Sequence, residues 1–456
     1  MEEGKMGKFW RDGRGHRPRL QKESSACSAA VAGFVEAGSN TPPRRQIGFF
    51  QGLEKGVGGF SKAWKIALVL LLAVLPASAQ VRVVKGGSAK ATIDWSRLVA
   101  GGAATEFKRV LEDDLIHSGW FTPAAPGGAE FSLVGSAQES GALNATIQFA
   151  SVTQRQWLLS KQYTAEGGAA RRLAHKVADE ILAAIGRKGM FSGRIVMIGT
   201  RSGAKELYVS DMDGGNLSQI TSDHNICLGP HWAPDGNRIT YTAFLKRYPD
   251  VYLIDLASRS RRVVASYPGM NSGGAVSPDG GMVALILSKE GYQALYVRAL
   301  GGGVPMRLTD GSRAALASPC WSPDGSHIVY VSDQASTAHP QLYMISRSGG
   351  APRRLTSRGS QNVAPCWGAN GLIAYASLQG RFQICVMDPN TLDSKMITPG
   401  DADYEDPSWA SDGRHIVCSR TAGYRSRIYL LDTLGDPPVA LSEVSGDWYS
   451  PSVTAK

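Results

Sequence analysis

Apolar and polar residues alternate in a regularly repeated pattern over the second half of the chain. Short alternating runs, such as Ile328–Ser332, each follow the motif Trp-Ser-Pro-Asp-Gly or a close variant of it. The motif begins at positions 232, 276, 321, 367 and 409, in steps of 44, 45, 46 and 42 residues. Its Asp-Gly or Asn-Gly pair supplies the positive φ that a tight hairpin turn requires. The pattern therefore predicts pairs of strands that are joined by tight turns.

A second apolar run repeats with the same period, as in Leu207–Asp211 and Val251–Asp255, and occurs six times. Each copy is followed by a turn and a short final strand. One unit is then four antiparallel strands in about 44 residues, which is the size of one blade of a β-propeller. Residues 193–456 have room for six such units. The sequence predicts a six-bladed β-propeller over residues 191–456.

The first unit, which starts at Arg194, lacks the opening strand of the other units. Ser450–Val453 matches Ser318–Trp321 position for position. We expect this late strand to complete the first blade and close the ring, because closure removes exposed strand edges.

The pattern of apolar residues in 80–190 differs from that of the repeated units. Apolar residues follow a helical period over 104–117 and again over 169–185, and strand-like runs occupy 131–134, 145–149 and 157–159. Two helices and a small mixed sheet predict a compact N-terminal α/β domain. The predicted fold is thus a two-domain chain, α/β followed by all-β.

The apolar run Ile66–Leu75 is too short to span a bilayer, which takes about 20 residues. Lys62 and Lys65 precede it, and Pro76–Ala79 follow it. This order predicts a secretory signal peptide over residues 61–79, cleaved before Gln80; a buried strand or helix is the alternative. Residues 1–60 lack apolar periodicity. We interpret them as a disordered extension or as a wrongly assigned start, with the true start near Val57.

Charge and cysteine content narrow the class of protein. The net charge is +10, but +6 of it lies in residues 1–79, so nucleic-acid binding is not supported. Five cysteines follow the predicted cleavage site, an odd number, and no Cys-x-x-Cys occurs. Cys320 and Cys366 each precede a Trp at matching repeat positions. Burial as small apolar residues is the favoured interpretation, and a disulfide or a metal site stays open.

Motifs of catalysis are missing from the sequence. There is no Gly-x-Ser-x-Gly, no His-Glu-x-x-His and no P-loop. His327 and His415 share a position three residues after the turn Asp, where we expect solvated side chains rather than ligands. The repeated Asp is explained by hydrogen bonding within its turn, and the repeated Trp by packing between blades. We therefore expect no enzyme activity, no metal site and no cofactor, with calcium in the channel not indicated.

The blade motifs, the preceding two-helix domain and the signal peptide together resemble the TolB family, the periplasmic propellers of the Tol–Pal envelope system. The resemblance covers about residues 81–456 and includes Leu115–Phe121, Leu207–Gly214, Gly349–Arg353 and Gly359–Asn362. It implies a non-enzymatic periplasmic scaffold, expected to be a monomer and not to span the membrane after cleavage. It also implies binding of the peptidoglycan-associated lipoprotein Pal at the propeller mouth, and a role in outer-membrane integrity and in envelope constriction at cell division.

The family's mature N-terminus engages the inner-membrane protein TolA, which would assign that role to Gln80, Val81, Arg82 and Val83. Residues 85–90 and 92–95 depart from the longer apolar strand that the family pattern leads us to expect.

The partner site is predicted at the loops that lead into the innermost strands, because these loops must share one face of a propeller. Loops carry recognition, and aromatic side chains dominate interfaces. For Trp448 and Tyr449, packing within the closing blade is the alternative. The predicted mouth residues are Asn225, Met270, Asn271, Ser272, Ala317, Ser318, Gln361, Asn362, Tyr404, Glu405, Asp406, Asp447, Trp448 and Tyr449.

A second class of function stays open at this point. An exported propeller could instead bind or process peptides or carbohydrates, with calcium as a possible requirement. Such an enzyme would need titratable groups that converge in the channel.

Overall fold

A computed structural model describes residues 90–310, 313–441 and 444–454. The predicted extension, the signal peptide and the proposed TolA-binding residues 80–83 lie outside the described residues. The chain divides into two compact units, one N-terminal and one that contains residues 193–433 and 437–454.

The N-terminal unit is a mixed sheet with two helices. The helices are α1 (Thr105–His117) and α2 (Ala170–Ala184). The strands are β1 (Ala91–Asp94), β2 (Leu98–Ala100), β3 (Phe121–Pro123), β4 (Phe131–Ser140), β5 (Ala142–Ser151) and β6 (Gln156–Glu166). Along the sheet the order is β3-β1-β4-β5-β6, and β2 pairs with β4. Pairing is parallel where β1 and β2 take part and antiparallel along β4, β5 and β6.

Each helix buries the apolar stripe that the sequence predicted, with Phe107 and Leu111 on α1 and Val177 and Ile181 on α2 at 0% exposure. The prediction of two helices on a mixed sheet is confirmed. The strands are longer than predicted because β4, β5 and β6 continue beyond their apolar runs as a ladder of paired residues.

The second unit is a propeller of six four-stranded antiparallel sheets, as predicted. Its strands are β7 (Arg194–Gly199), β8 (Glu206–Asp211), β9 (Ser218–Gln219), β10 (Cys227–Trp232), β11 (Arg238–Ala243), β12 (Asp250–Asp255), β13 (Arg261–Ala265), β14 (Asn271–Val276), β15 (Met282–Leu287), β16 (Ala294–Ala299), β17 (Met306–Arg307), β18 (Leu316–Trp321), β19 (His327–Ser332), β20 (Gln341–Ser346), β21 (Arg353–Arg354), β22 (Asn362–Trp367), β23 (Ile373–Gln379), β24 (Arg381–Met387), β25 (Ser394–Met396), β26 (Asp403–Trp409), β27 (His415–Ala422), β28 (Arg425–Asp432), β29 (Val439–Ala440) and β30 (Trp448–Val453).

Blade 1 has the strand order β30-β7-β8-β9, and blades 2 to 6 follow as β10–β13, β14–β17, β18–β21, β22–β25 and β26–β29. The first strands of these orders, β10, β14, β18, β22, β26 and β30, contact one another in turn around the ring. They are therefore the innermost strands and surround the central channel.

The ring closes as the sequence predicted. Strand β30 pairs antiparallel with β7, so that Trp448 lies opposite Gly199 and Val453 lies opposite Ile195. The indole ring of Trp448 packs edge-on against Tyr208, with 5.0 Å between ring centroids. A late segment of the chain thus supplies the innermost strand of the first blade.

Two of the repeated Trp residues join neighbouring blades by hydrogen bonds, whereas Trp367 bonds within its own turn, to the carbonyl of Gly371. Trp232 donates from Nε1 to the carbonyl of Ser452 at 3.0 Å, and Trp321 donates to the carbonyl of Ala275 at 2.9 Å. Each bond reaches the innermost strand of the preceding blade. The predicted role of Trp in packing between blades is confirmed for these two residues.

Among the helices of the described residues, none combines the length and the apolar character that a membrane span requires.

Candidate functional site

The face of the propeller that carries the predicted site follows from strand direction. Each loop into an innermost strand lies at one end of its blade, and the tight Asp-Gly turn at the other end of that strand lies on the opposite face. Since the strands of a blade alternate in direction, the loop between the second and third strands returns to the first face. In the described part of the propeller, the two kinds of loop thus lie on the face that carries one mouth of the channel.

Every innermost strand bends at the same place, just below this mouth. The ladder with the second strand shifts register there in all six blades. The residue at the bend has a positive φ in each case: Gly229, Gly273, Ser318, Ala364, Asp406 and Ser450. Pro follows in five blades, and because Pro has no N–H to give to the ladder, a bulge accommodates it. The bends form a ring of six equivalent positions.

Four of the predicted mouth residues are buried, with at most 1% exposure: Asn271, Asn362, Tyr404 and Trp448. Asn271 donates from Nδ2 to the carbonyls of Tyr267 and Pro249 at 2.8 and 3.1 Å. In blade 5, Asn362 donates to Gln341 and to the carbonyl of Arg358. Both asparagines therefore stabilise the entry loop through hydrogen bonds inside the protein.

The two buried aromatic residues correct the expectation that they are exposed anchors. Tyr404 donates from its hydroxyl to Asp401 at 3.0 Å and accepts from Arg420 at 2.9 Å. Trp448 donates to the carbonyl of Val444 and fills the space beside Gly199. For Trp448, packing within the closing blade was the alternative, and the structure supports it. Both rings are packed inside the propeller.

The other predicted residues are partly exposed, and the structure brings them to the same face: Asn225, Met270, Ser272, Ala317, Ser318, Gln361, Glu405, Asp406, Asp447 and Tyr449. Tyr449 carries Lys205 over its ring at 5.7 Å. Asp447 accepts from the backbone N–H of Ser426 at 3.1 Å. These side chains are available at the mouth, and their contact with a partner stays a prediction.

Glu405 and Asp406 make blade 6 the acidic sector of the channel. Burial, with the neighbouring charges of Asp406 and Asp403, raises the pKa of Glu405 to about 8. Burial also raises the pKa of Asp406, although Ser450 of blade 1 donates a hydrogen bond of 2.8 Å to its carboxylate. With a pKa of about 8, Glu405 holds its proton at neutral pH and would release it when a cation approaches.

Sequence reasoning missed the loops between the second and third strands. They carry three exposed aromatic side chains: Tyr248 at 54%, Tyr292 at 45% and Tyr424 at 79% exposure. These loops share one length in blades 1 to 3 only, and Tyr248 and Tyr292 occupy equivalent positions of their loops, one repeat period apart. The signal that could have found them is strand direction, which places these loops on the same face as the mouth.

On the opposite face, the turn aspartates behave as predicted. Asp235 accepts from the backbone N–H groups of Asn237 and Arg238, and Asp412 accepts from those of Arg414 and His415. The prediction of a solvated His415 is wrong, because this side chain is only 2% exposed and its Nδ1 bonds to Asp412. The pairing with Asp412 compensates for burial of the imidazole.

One cluster in the described part of the propeller has the composition of a metal site. Ligand atoms of Glu206, Asp223 and Cys227 lie within 4.8 Å of one another. Glu206 already accepts from Thr221 at 2.5 Å and from the N–H of His224 at 2.6 Å, and Asp223 pairs with Arg261. Burial raises the pKa of Cys227 to about 12, so the thiol keeps its proton. The cluster is a hydrogen-bonded anchor for the loop into β10.

Comparison with known proteins agrees with this architecture. The family described as TolB beta propeller domain (PD40) matches residues 183–455. The Tol-Pal system protein TolB of Bordetella pertussis is 30% identical over 322 residues, which are 64% of this chain and 73% of that protein. A protein TolB homolog of Chlorobium luteolum is 33% identical over 231 residues, which are 50% of this chain and 51% of that protein.

Among solved structures, the crystal structure of TolB from Acinetobacter baumannii superposes with a TM-score of 0.73 at 25% identity, and the match covers 81% of this chain and 98% of that one. The six-bladed ring, the preceding α/β unit and these matches lead to one conclusion. The chain belongs to the TolB family and is a component of the Tol-Pal system.

Proposed function

We propose that the protein is a periplasmic, non-enzymatic scaffold that binds a Pal-type peptidoglycan-associated lipoprotein at the mouth of its propeller. Through that contact it would support outer-membrane integrity and envelope constriction at cell division. A TolA-type inner-membrane protein would bind the segment around residues 80–83.

The observation that carries the proposal is the composition of one face. Exposed tyrosines lie on three loops of this face, in blades 2, 3 and 6, and the innermost strand of blade 6 carries the half-buried carboxyls of Glu405 and Asp406. Tyrosine combines a large apolar area with a hydrogen-bonding tip, which is the usual make-up of a binding hot spot. The acidic sector would favour a partner that presents Lys or Arg to the channel.

The same face offers little to a hydrolase. Catalysis by a nucleophile requires a hydroxyl or thiol bonded to a base that a third group orients. Among the described residues at this mouth, we find no Ser, Thr or Cys side chain bonded to a histidine. His231 lies on the innermost strand of blade 2, and burial lowers its pKa to about 4. This arrangement favours recognition over proton transfer.

The test is a matched pair of substitutions in blade 3, on opposite faces. Tyr292→Ala removes an exposed side chain of the mouth face, and Val304→Ser changes a residue with 91% exposure on the other face. Binding of the soluble domain of a Pal-type lipoprotein from the same organism would be measured by calorimetry. We expect Tyr292→Ala to weaken binding about fivefold or more, since a hot-spot residue contributes more than 1 kcal/mol.

Val304→Ser should leave the affinity unchanged. Equal affinities for wild type and Tyr292→Ala, combined with loss of binding in Val304→Ser, would place the partner on the opposite face. Failure of the wild-type protein to bind any Pal-type domain would refute the proposal itself.

A further inference from the structure

Two cysteines line the central channel on neighbouring blades. Cys320 on β18 and Cys366 on β22 occupy the same position of their innermost strands, two residues past the bend. Both are partly exposed, whereas Cys227, Cys385 and Cys418 are buried. The structure holds all five as free thiols. The pair differs from the other cysteines in both place and access.

The thiol of Cys320 lies at the contact between blades 4 and 5, next to the strand that carries Cys366. Cys320 accepts at its Sγ a hydrogen bond of 3.1 Å from the backbone N–H of Trp367, the residue next to Cys366. The side chain of Cys320 thus reaches across to the neighbouring strand at the level of the second thiol. In the other blades this position holds His231, Ala275, Ser408 and Ser452, so the ring brings two thiols together only at this junction.

The environment divides the two thiols into an acidic and a less acidic one. The pKa of Cys366 is lowered, chiefly because the thiol of Cys320 hydrogen-bonds to it, with help from the N–H of Trp409 and the hydroxyl of Ser408. The same contact, together with burial, raises the pKa of Cys320. The thiolate is the nucleophile in disulfide exchange, so Cys366, whose ionisation these contacts assist, can begin the exchange.

We propose that Cys320 and Cys366 form a reversible disulfide between blades 4 and 5 by exchange with a small disulfide oxidant. With oxidised glutathione, the Cys366 thiolate attacks one glutathione sulfur, releases one glutathione thiolate and forms a mixed disulfide. Cys320 then loses its proton to solvent and attacks the sulfur of Cys366. This second step releases the other glutathione, so two electrons pass from the two thiols to one oxidised glutathione.

The bond would act directly beneath the candidate partner site. Ser318 and Ala364, two residues before the thiols, form the bends of blades 4 and 5 under the mouth loops. A disulfide would fix the distance between these two strands and hence the width of the channel on that side. Oxidation would therefore connect the redox state of the compartment to the stiffness of the binding face.

The experiment follows thiols in the full-length protein. The reduced protein is equilibrated with mixtures of reduced and oxidised glutathione, denatured, alkylated, digested without reduction and analysed by mass spectrometry. We expect Cys320 and Cys366 to lose alkylation together and to appear in one cross-linked peptide. Cys385, which is buried, serves as the internal control and should stay alkylated.

Two variants complete the test, and each introduces a residue that another blade carries at the equivalent position. Cys320→Ala copies blade 3, and Cys366→Ser copies blade 6. In Cys320→Ala, we expect Cys366 to accumulate as a mixed disulfide with glutathione. Oxidation of the wild type should raise its Tm by roughly 5 °C or more for a closed loop of this size. This rise in Tm should vanish in Cys320→Ala. Alkylation of both thiols in the most oxidising mixture, or a glutathione adduct that persists on wild-type Cys366, would overturn the proposal.

Discussion

The raised pKa of Glu405 makes the stability of the propeller depend on pH in a direction opposite to that of most carboxylates. In the unfolded chain this group titrates near 4.5, and in the folded protein near 8. Below the lower value both states are protonated and the group contributes nothing. Between the two values the folded state binds more protons than the unfolded state, so its stability falls as pH rises. Above the higher value, the full free-energy cost of burying the ionised carboxylate remains.

The size of the penalty follows from the shift. Moving a pKa from 4.5 to about 8 corresponds to at most ~5 kcal/mol. Because Glu405 is partly exposed at the channel, solvent screens its charge, and we expect roughly 2 kcal/mol. Glu405→Gln keeps the shape of the side chain and removes the titration. The variant should match wild type at pH 4 and be more stable by roughly 2 kcal/mol at pH 9.

The assay is guanidinium unfolding at pH 4 and pH 9, followed by near-ultraviolet circular dichroism. The control is Glu290→Gln on the same face, since hydrogen bonding to Lys289 lowers the pKa of that carboxyl. It should gain no stability at pH 9. An equal effect of Glu405→Gln at both pH values, or a loss of stability at pH 9, would refute the reasoning and place the carboxylate in a favourable environment.

Two further predictions concern the propeller frame. Trp448→Ala should destabilise the protein by about 3–5 kcal/mol in thermal unfolding, because it leaves a cavity in the closing blade. The control Tyr424→Ala removes an aromatic ring with 79% exposure and should change the stability by less than about 0.5 kcal/mol. Ala364→Gly should stabilise the protein by about 0.5–1 kcal/mol, because Gly adopts a positive φ without strain. Its control, Ala376→Gly in the extended strand β23, should destabilise it, and a loss of stability in both variants would contradict a strained bend.

The architecture could be predicted from the sequence because its blades repeat at a regular interval. Each Asp-Gly turn indicates a hairpin, and a hairpin that recurs about every 44 residues indicates a propeller blade. The match of Ser450–Val453 to the innermost strands revealed the closure. Each of these signals lies in a short stretch of sequence, so it can be recognised without knowing which segments pack against it.

The details of the site depend on contacts between distant residues and could not be predicted in the same way. Trp448 is buried because Gly199, far away in sequence, leaves room for its indole ring. Tyr404 is buried because Asp401 and Arg420 satisfy its hydroxyl. Tyr248 and Tyr292 occupy equivalent positions of loops of equal length, whereas the loop of Tyr424 is shorter. A sequence identifies the loops that meet at the mouth, but the partners of each side chain decide which residues face outward.

The closing strand also makes completion of the ring a long-range step of folding. Strands β7, β8 and β9 of blade 1 lie within residues 194–219, whereas their fourth strand is residues 448–453. Closing blade 1 therefore joins segments from opposite ends of the propeller sequence, and the entropy of closing so long a loop opposes the contact. Until β30 docks, the inner edge of β7 has no partner and can pair wrongly with other strands. Any partly folded chain in which residues 448–453 are undocked thus exposes a strand edge that can start aggregation.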